Sequence, residues 1–547
     1  MHATMMQMPL TIESILQRAE GPFADVEIVS RRADKSLHRS RWGEVAQRAR
    51  RLARALIGLG VRPGDRVATL MWNHAQHLEA YFGVPLAGAV VHTLNLRLHP
   101  DDIAQIALDA GDSVLLVDEV LLPLFEKVRQ SPAFAGAPPF KTVIVIPCGT
   151  AAHDPNLGEK YVEYEPFLVS APDAQHAPLP ALREEDALGM CYSSGTTGRP
   201  KGVVYSHRST VLHSLVVALP DSLDLSRSDA LLAVVPMFHV NAWGLPYACA
   251  LVGARMILPG PHLDPESLLE LLANEQATIA AGVPTIWMGI RDALEAQPGR
   301  FALRAGLRMV VGGSSAPEKL IRDFDRMGLT LIHAWGMTET SPVGLVSRLP
   351  PEASSFSEDE RYALRAKQGT PPPLVEIRIR NEQGDVPADG KTPGELMVRG
   401  PWIAGSYFNR DDAERWTSDG FFRTGDIAHI DARGFVQLTD RVSDMIKSGG
   451  EWISSVELEN TIMAHPAVRE AAVVAAPHPK WSERPIAAVV LKPGAAASAE
   501  ELHAFIAPKF AKYQLPDAFV FVDAIPRTSA GKFLKSALRE RFKDWKW

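Results

Sequence analysis

The chain has 547 residues, 46% of them apolar and 22% charged, with a formal net charge of −7. That length exceeds one ordinary hydrophobic core, so two or more domains are expected, and the acidic balance argues against a general nucleic-acid binder, which carries a basic face. The cysteines, Cys148, Cys191 and Cys249, form no CxxC pair, which argues against a disulfide framework or a zinc site and fits a reducing, cytoplasmic setting.

The first residues, MHATMMQMPL, lack a basic segment followed by an apolar one, so no secretory signal is expected. Arg48, Arg50, Arg51 and Arg54 alternate with Ala49, Leu52, Ala53 and Leu56, which predicts an amphipathic helix over 43–59 with a solvated outer face. SVLLVDE at 113–119 and KTVIVIP at 141–147 read as strands, and the polar, Ala/Pro-containing stretch 151–185 reads as a loose surface excursion. The most apolar long segment, 231–259, is interrupted by Pro236, His239, Asn241 and Pro246, so it reads as buried strand and loop and not as an integral membrane segment. An amphipathic stretch at 265–277 and a strand at 307–314 continue the alternation of helix and strand, which predicts α/β architecture with largely parallel sheets. After about residue 370 apolar and polar residues alternate, with turn signals at Gly384-Asp385 and Asp389-Gly390, predicting a small antiparallel unit. A boundary is expected near Asp440-Arg441. Beyond it AAVVAAP, IAAVVLKPG and a helix near 499–510 suffice for a small α+β domain.

Several segments are rich in groups that hold phosphate, ribose or metal. YSSGTTGRPKG, 192–202, follows the apolar ALGMCY and offers flexible backbone, hydroxyls and one amine. It lacks the Walker spacing and G-x-G-x-x-G, so composition alone fits a phosphate cradle or an ordinary loop. HAWGMTET places Thr338 and Glu339 beside a glycine: a hydroxyl and carboxylate that suit Mg²⁺ and phosphate, or a capping pair. FFRTGDIAHID places Asp426 after a Thr-Gly turn, able to accept ribose hydroxyls or simply to close a hairpin. DRVSDMIKSGGEWIS and PRTSAGKFLK each set a lysine, Lys447 and Lys532, next to glycine.

In their order, YSSGTTGRPKG, HAWGMTE, YFNRDDA, FRTGDIAHID, DRVSDMIKSGGEWIS and PRTSAGK resemble the adenylate-forming superfamily of acyl-CoA synthetases, peptide-synthetase adenylation domains and firefly luciferases, over nearly the whole chain. VVYSHRST, VVPMFHVNAWG, GVPTIW and HPKWSERP are most similar to bacterial medium- and long-chain fatty acyl-CoA synthetases, although methylthioalkanoate-CoA ligases share many of these words. The resemblance implies a large N-terminal domain, 1–440, of layered β-sheets and helices with a β-barrel-like subdomain, and a mobile α+β C-terminal domain, 441–547, hinged near 440–443. It implies ATP, Mg²⁺ and coenzyme A, a carboxylic acid as substrate, and a homodimer. An acyl-adenylate forms with release of pyrophosphate, and the thiol of coenzyme A then displaces AMP.

By the same resemblance Ser193, Ser194, Gly195, Thr196, Thr197, Gly198 and Lys201 hold the β- and γ-phosphates, and Thr196 and Glu339 serve the metal. Thr338 touches the phosphates. Gly313, Ser314, Ala316, Trp335, Gly336 and Met337 line the nucleotide and acyl junction. Asp426 and Arg441 hold the ribose, and Trp452 contacts the adenine. Lys532 is implied as the main catalytic residue of adenylation. After rotation of the C-terminal domain, Lys447, Gly449 and Gly450 face the site for coenzyme A. The acyl pocket is implied at His239, Trp243, Trp287 and Gly312, with Trp243 resembling a gate. Ser443 departs from the family, which has a lysine or aspartate there, so a charge-based hinge does not carry over. A short-chain, methylthioalkanoate or aryl ligase is the alternative, and a carrier-loading adenylation enzyme or an oxygenase the more distant one.

Overall fold

The structure is a computed structural model. It describes all residues except 1–3, 135–137, 148–159, 194–199, 442–443, 449–450 and 529–531, with Glu451 and Trp452 described by backbone only. Cys148 and Ser443 therefore lie outside the described residues.

Apolar residues at helical spacing build the first layer. Helix Trp42–Gly58 buries Val45, Ala46, Ala49, Leu52, Ala53 and Leu56 along one stripe. Its basic face is more than a solvated surface: Arg48 binds Glu79 and Glu165, and Arg50 binds Glu13 and Glu20. Because those carboxylates come from other helices, the ion pairs tie the layer together, which helical periodicity does not reveal.

Two sheets share this layer. The first is eight-stranded, in the order Val343–Val346, Thr330–Gly336, Arg308–Val311, Ile279–Gly282, Ala230–Ala233, Arg255–Leu258, Glu27–Arg31 and Leu37–Arg41. It is parallel except at its two end strands. The second is seven-stranded and parallel until its last pair, where Ala187–Tyr192 turns back antiparallel into Gly202–Ser206. One continuous apolar cluster packs both sheets around helices Ile12–Glu20, Trp42–Gly58 and Ala75–Leu86. Parallel strands buried on both faces need such cover.

Two stretches hold more structure than their composition suggests. Within 151–185, helix Tyr164–Val169 buries Tyr164, Phe167 and Leu168, a segment too short for its periodicity to stand out. Within 231–259, helix Leu245–Val252 lies between two buried strands, with Pro246 in its first turn, where a missing N–H costs nothing. Among the described residues no helix is long and apolar enough to cross a membrane.

From Glu376 to Arg441 the strands are antiparallel in an open five-stranded path, and the two end strands, Gly384–Asp385 and Val436–Arg441, are not paired with each other. The expected barrel-like unit is thus an open sheet among the described residues, and Gly384-Asp385 is a paired strand where a turn was predicted. Strands Val468–His478 and Ser482–Leu491 and helix Ala499–Ile506 form a separate sheet and core after Arg441. The C-terminal ends of the parallel strands and the open edge of the antiparallel sheet converge on one cavity, as expected for open α/β sheets.

Candidate active site

A cavity of about 230 Å³ lies between the two parts of the chain. Its walls include Gly313 and Ser314 after strand Arg308–Val311, Trp335 and Gly336 at the end of Thr330–Gly336, Asp426 and Arg441 from the antiparallel sheet, and Lys532 from the C-terminal part. Gly313 has φ of +87°, a left-handed conformation that favours glycine, and a Cβ there would stand 3.7 Å from Cε of Lys532.

Asp426 is buried and committed to the cavity wall. Its Oδ2 accepts the indole N–H of Trp335 at 2.9 Å, and its Oδ1 faces Nε of Arg441 at 3.2 Å. Asp426 holds the Arg441 guanidinium above its ordinary pKa. Burial, then Arg441, pulls the Lys532 ammonium down to about 8, while Asp426 and Glu339 oppose the loss of its proton. A cation is thereby held in a partly desolvated site, where its electrostatic effect is larger than in water.

Thr338 and Glu339 sit on a buried 3₁₀ turn, Thr338–Thr340. Tyr205 donates to the carbonyl of Thr338 at 2.9 Å, and the amide of Ala404 donates to the carbonyl of Glu339 at 2.7 Å. Tyr407 donates its hydroxyl to Oε1 of Glu339 at 2.6 Å. Lys201 lies over the Tyr407 ring at 4.7 Å and pairs with Asp412 at 3.1 Å. The hairpin that carries the Gly/Ser/Thr loop is pinned at its neck: the amide of Ser193 donates to the carbonyl of Lys201 at 2.9 Å, and the amide of Lys201 donates to Oγ of Ser193 at 3.1 Å. Ser194, Gly195, Thr196, Thr197 and Gly198 lie outside the described residues.

Chance similarity is excluded by the extent of the match to known proteins. Residues 18–408 match the AMP-binding enzymes and residues 457–532 match the C-terminal domain of the AMP-binding enzymes. The chain belongs to the AMP-binding enzymes.

This AMP-binding enzyme is 52% identical, over 99% of its length and 97% of the relative's, to a long-chain-fatty-acid–CoA ligase of Thermus thermophilus. It is 45% identical to a medium-chain-fatty-acid–CoA ligase of Ectopseudomonas oleovorans, over 99% and 97%. It is 44% identical to a 3-methylmercaptopropionyl-CoA ligase of Ruegeria pomeroyi, over 99% and 98%. Among solved structures it resembles an anthranilate CoA ligase in complex with anthranoyl-AMP, with a TM-score of 0.84 at 26% identity over 99% of both chains.

The remaining predicted residues of the AMP-binding enzyme divide into four groups. His239 and Trp243 stand behind the cavity and not among its walls. Burial, then the charges of Lys532 and Arg97, pulls His239 down to about 4, so it is a neutral imidazole that senses Lys532. Trp243 lies in a run of left-handed residues, with φ of 46° at Val240, 49° at Asn241 and Ala242, 58° at Trp243 and 70° at Gly244. Each such non-glycine residue costs roughly 1–2 kcal/mol, and strained backbone of this kind clusters at functional sites. The turn is held by Cys191, whose thiol donates to Oδ1 of Asn241 at 3.2 Å, and by Gly312, where a Cβ would come within 3.0 Å of the Trp243 ring.

Ala316 and Met337 support the site from behind: Ala316 belongs to the second apolar cluster, Met337 packs against the first, and neither lines the cavity. Trp287 is not among the walls of this cavity. It is fully buried in helix Pro284–Ala296, its ring sits against Gly282, and its indole N–H donates to the carbonyl of Val310 at 3.0 Å. Trp287→Phe is therefore expected to lower stability by about 1–3 kcal/mol, through one lost hydrogen bond and lost volume. The measurements are urea unfolding, and acyl-chain preference, which stays unchanged if Trp287 is core.

Lys447 lies on strand Ile446–Ser448, exposed, its amide donating to Glu483 at 2.8 Å, and it does not line the cavity. The backbone of Trp452 pairs with that of Lys447, while Gly449 and Gly450 lie outside the described residues. Tyr205, Tyr407 and Asp412 were missed by sequence reasoning. Tyr407 and Asp412 lie inside the YFNRDDA motif, so that motif was the available signal, but only the tertiary pairing with Glu339 and Lys201 reveals what they do.

Proposed function

We propose that this AMP-binding enzyme joins a medium- to long-chain fatty acid to coenzyme A, with ATP cleaved to AMP and pyrophosphate. The observation that carries the reading is Lys532, standing as a buried cation in the same cavity as Asp426, Arg441 and Gly313.

The chemistry follows from the leaving groups. A carboxylate is a poor acyl donor. One of its oxygens attacks the α-phosphorus of ATP, the bond to the β-phosphate oxygen breaks, and pyrophosphate leaves. Lys532 offsets the negative charge that gathers on the carboxylate and α-phosphate oxygens, a donor worth a few kcal/mol in a dry site. Asp426 accepts from the ribose hydroxyls, and Arg441 holds Asp426 in place. Lys201 and the adjoining loop grip the β- and γ-phosphates. The thiolate of coenzyme A then attacks the acyl carbon and AMP leaves, giving the thioester.

The Glu339 carboxylate, oriented by Tyr407, is with Thr196 the set we assign to Mg²⁺, a hard cation that takes oxygen ligands, and the neighbouring Thr338 is assigned to the phosphates. Mg²⁺ would neutralise phosphate charge there. In the second step Lys447 is the residue we assign to coenzyme A, after the C-terminal part turns about 440–443. Trp243 is the acyl gate in this reading, supported by its place beside Gly312 on a strained turn. We also infer a homodimer, for which light scattering at twice the chain mass is expected.

The relatives at 52% and 45% identity favour medium to long chains, and the 3-methylmercaptopropionyl-CoA ligase at 44% keeps a short substrate as the second reading. CoA-dependent AMP release across straight-chain acids of four to eighteen carbons, with methylthiopropionate and benzoate alongside, decides between them. A peak at eight or more carbons is expected. A peak at four or five, or on methylthiopropionate, overturns the chain length and leaves the chemistry standing.

A further inference from the structure

Lys532 can act only if the C-terminal part is held against the antiparallel sheet, and the contacts that hold it surround one buried carboxylate. Asp440 is the penultimate residue of strand Val436–Arg441, next to the Arg441 that pairs with Asp426. Its Oδ2 accepts two hydrogen bonds from Ser455, one from the amide at 2.7 Å and one from the hydroxyl at 2.6 Å. Ser455 opens helix Ser455–Met463 of the C-terminal part, so a carboxylate of one part docks on a helix N-terminus of the other, where backbone N–H groups and the helix dipole favour negative charge. Ser454, the N-cap of that helix, donates to the carbonyl of Thr439 at 2.5 Å.

A second link runs from Ser455 to the segment that carries Lys532. Nζ of Lys535 donates to Oγ of Ser455 at 2.5 Å and pairs with Glu459 at 2.8 Å. Burial works against the Lys535 charge, but Glu459, Asp440 and Asp444 outweigh it and hold the group as a cation. Lys535 starts helix Lys535–Phe542, and before it the amide of Thr528 donates to the carbonyl of Lys532 at 2.7 Å. The connection runs from Arg441 and Asp440 through Ser455 and Lys535 back to Lys532, and closes on the cavity from both sides. Arg539, on the same helix as Lys535, adds an ion pair with Asp444 at 2.5 Å.

We propose that Asp440, Ser455 and Lys535 are positioning residues: they latch the C-terminal part in the orientation that places Lys532 in the cavity, and they must let go before the second step. The proposal rests on the two-step reading above. Thr439 precedes the 440–443 hinge, Asp440 stands at its first position, and Ser454 and Ser455 follow it, so a rotation about that hinge carries the helix N-terminus away from the strand that holds the Asp440 carboxylate. The two half-reactions therefore respond differently to the latch. Acyl-adenylate formation needs it closed; thioester formation needs it open.

The test measures the two half-reactions separately in the full-length enzyme. One is single-turnover formation of acyl-adenylate from fatty acid and ATP. The other is thioester formation from chemically supplied acyl-adenylate and coenzyme A. Asp440→Ala and Lys535→Met are expected to slow the first about tenfold or more and to leave the second unchanged or faster. Asp440→Asn, which keeps the shape and removes the charge, is expected to shift both in the same directions by less, and Lys535→Arg to restore most of the first. Equal loss in both half-reactions across the variants, or no loss in either, overturns the proposal. A wild-type enzyme that forms no acyl-adenylate overturns the two-step reading itself, an outcome distinguishable because it does not depend on any variant.

Discussion

Lys532→Ala is expected to lower acyl-adenylate formation by about 10²- to 10³-fold, the cost of one preorganised donor at a developing charge, about 2.7–4 kcal/mol. Binding of ATP changes less, because the loss falls on charge that appears in the transition state. Thioester formation from supplied acyl-adenylate persists, since that step needs space where the lysine stood. The pH dependence has a definite sign. Lys532 is held down to about 8 by burial and then by Arg441, so its ammonium is intact below that pH and lost above it. The kcat/KM for adenylation, which reports the free enzyme, is expected to fall as pH rises through about 8, and Lys532→Ala is expected to remove that limb. A wild-type profile flat to pH 10, or a variant with normal adenylation, would sink the assignment.

Asp426→Ala carries the second large effect. The carboxylate accepts from Trp335, faces Arg441 and is buried among the cavity walls. Its removal deletes the proposed ribose acceptor and leaves Arg441 without that counter-charge. Truncating one member of a hydrogen-bonded charge pair costs about 2–4 kcal/mol, which is about 30- to 1,000-fold in kcat/KM for ATP. Trp335→Phe, which removes only the indole donor, is expected to cost about 0.5–1.5 kcal/mol. Steady-state kinetics at varied ATP separates the two. If both variants lose the same activity, Asp426 acts through the indole alone and does not contact the nucleotide.

Much of this site was legible in the sequence through the resemblance of its ordered motifs to the adenylate-forming superfamily. Lys532, Asp426, Arg441, Gly313, Ser314, Trp335 and Gly336 were named from short segments and meet around one cavity. Residues whose importance depends on tertiary contact were not legible. Tyr407 reaches Glu339 across the fold, and no local pattern predicts that hydrogen bond. Trp287 is ambiguous in the sequence because a tryptophan beside a family motif fits a pocket as well as a core; its full burial and its bond to Val310 favour the core. The left-handed run at Val240–Gly244 has no sequence signal either: four of its five residues are not glycine, and its tertiary contacts, Trp243 beside Gly312 and Asn241 with Cys191, are not written in the local sequence. In the fold, the short β-branched strands Asp112–Asp118, Thr142–Ile146 and Arg308–Val311 announced themselves through composition, and helix Trp42–Gly58 through the period of its apolar stripe. The short helix Tyr164–Val169 did not, because six residues hold less than two turns of pattern.

The central claim is that a fatty acid is activated as an acyl-adenylate before coenzyme A takes part. Exchange of labelled pyrophosphate into ATP tests it most directly, measured with fatty acid and Mg²⁺ and no coenzyme A. The account predicts exchange that requires the fatty acid, proceeds without coenzyme A and collapses in Lys532→Ala. Exchange that appears only when coenzyme A is added, or fatty acid activation with release of ADP and phosphate in place of AMP and pyrophosphate, would contradict it.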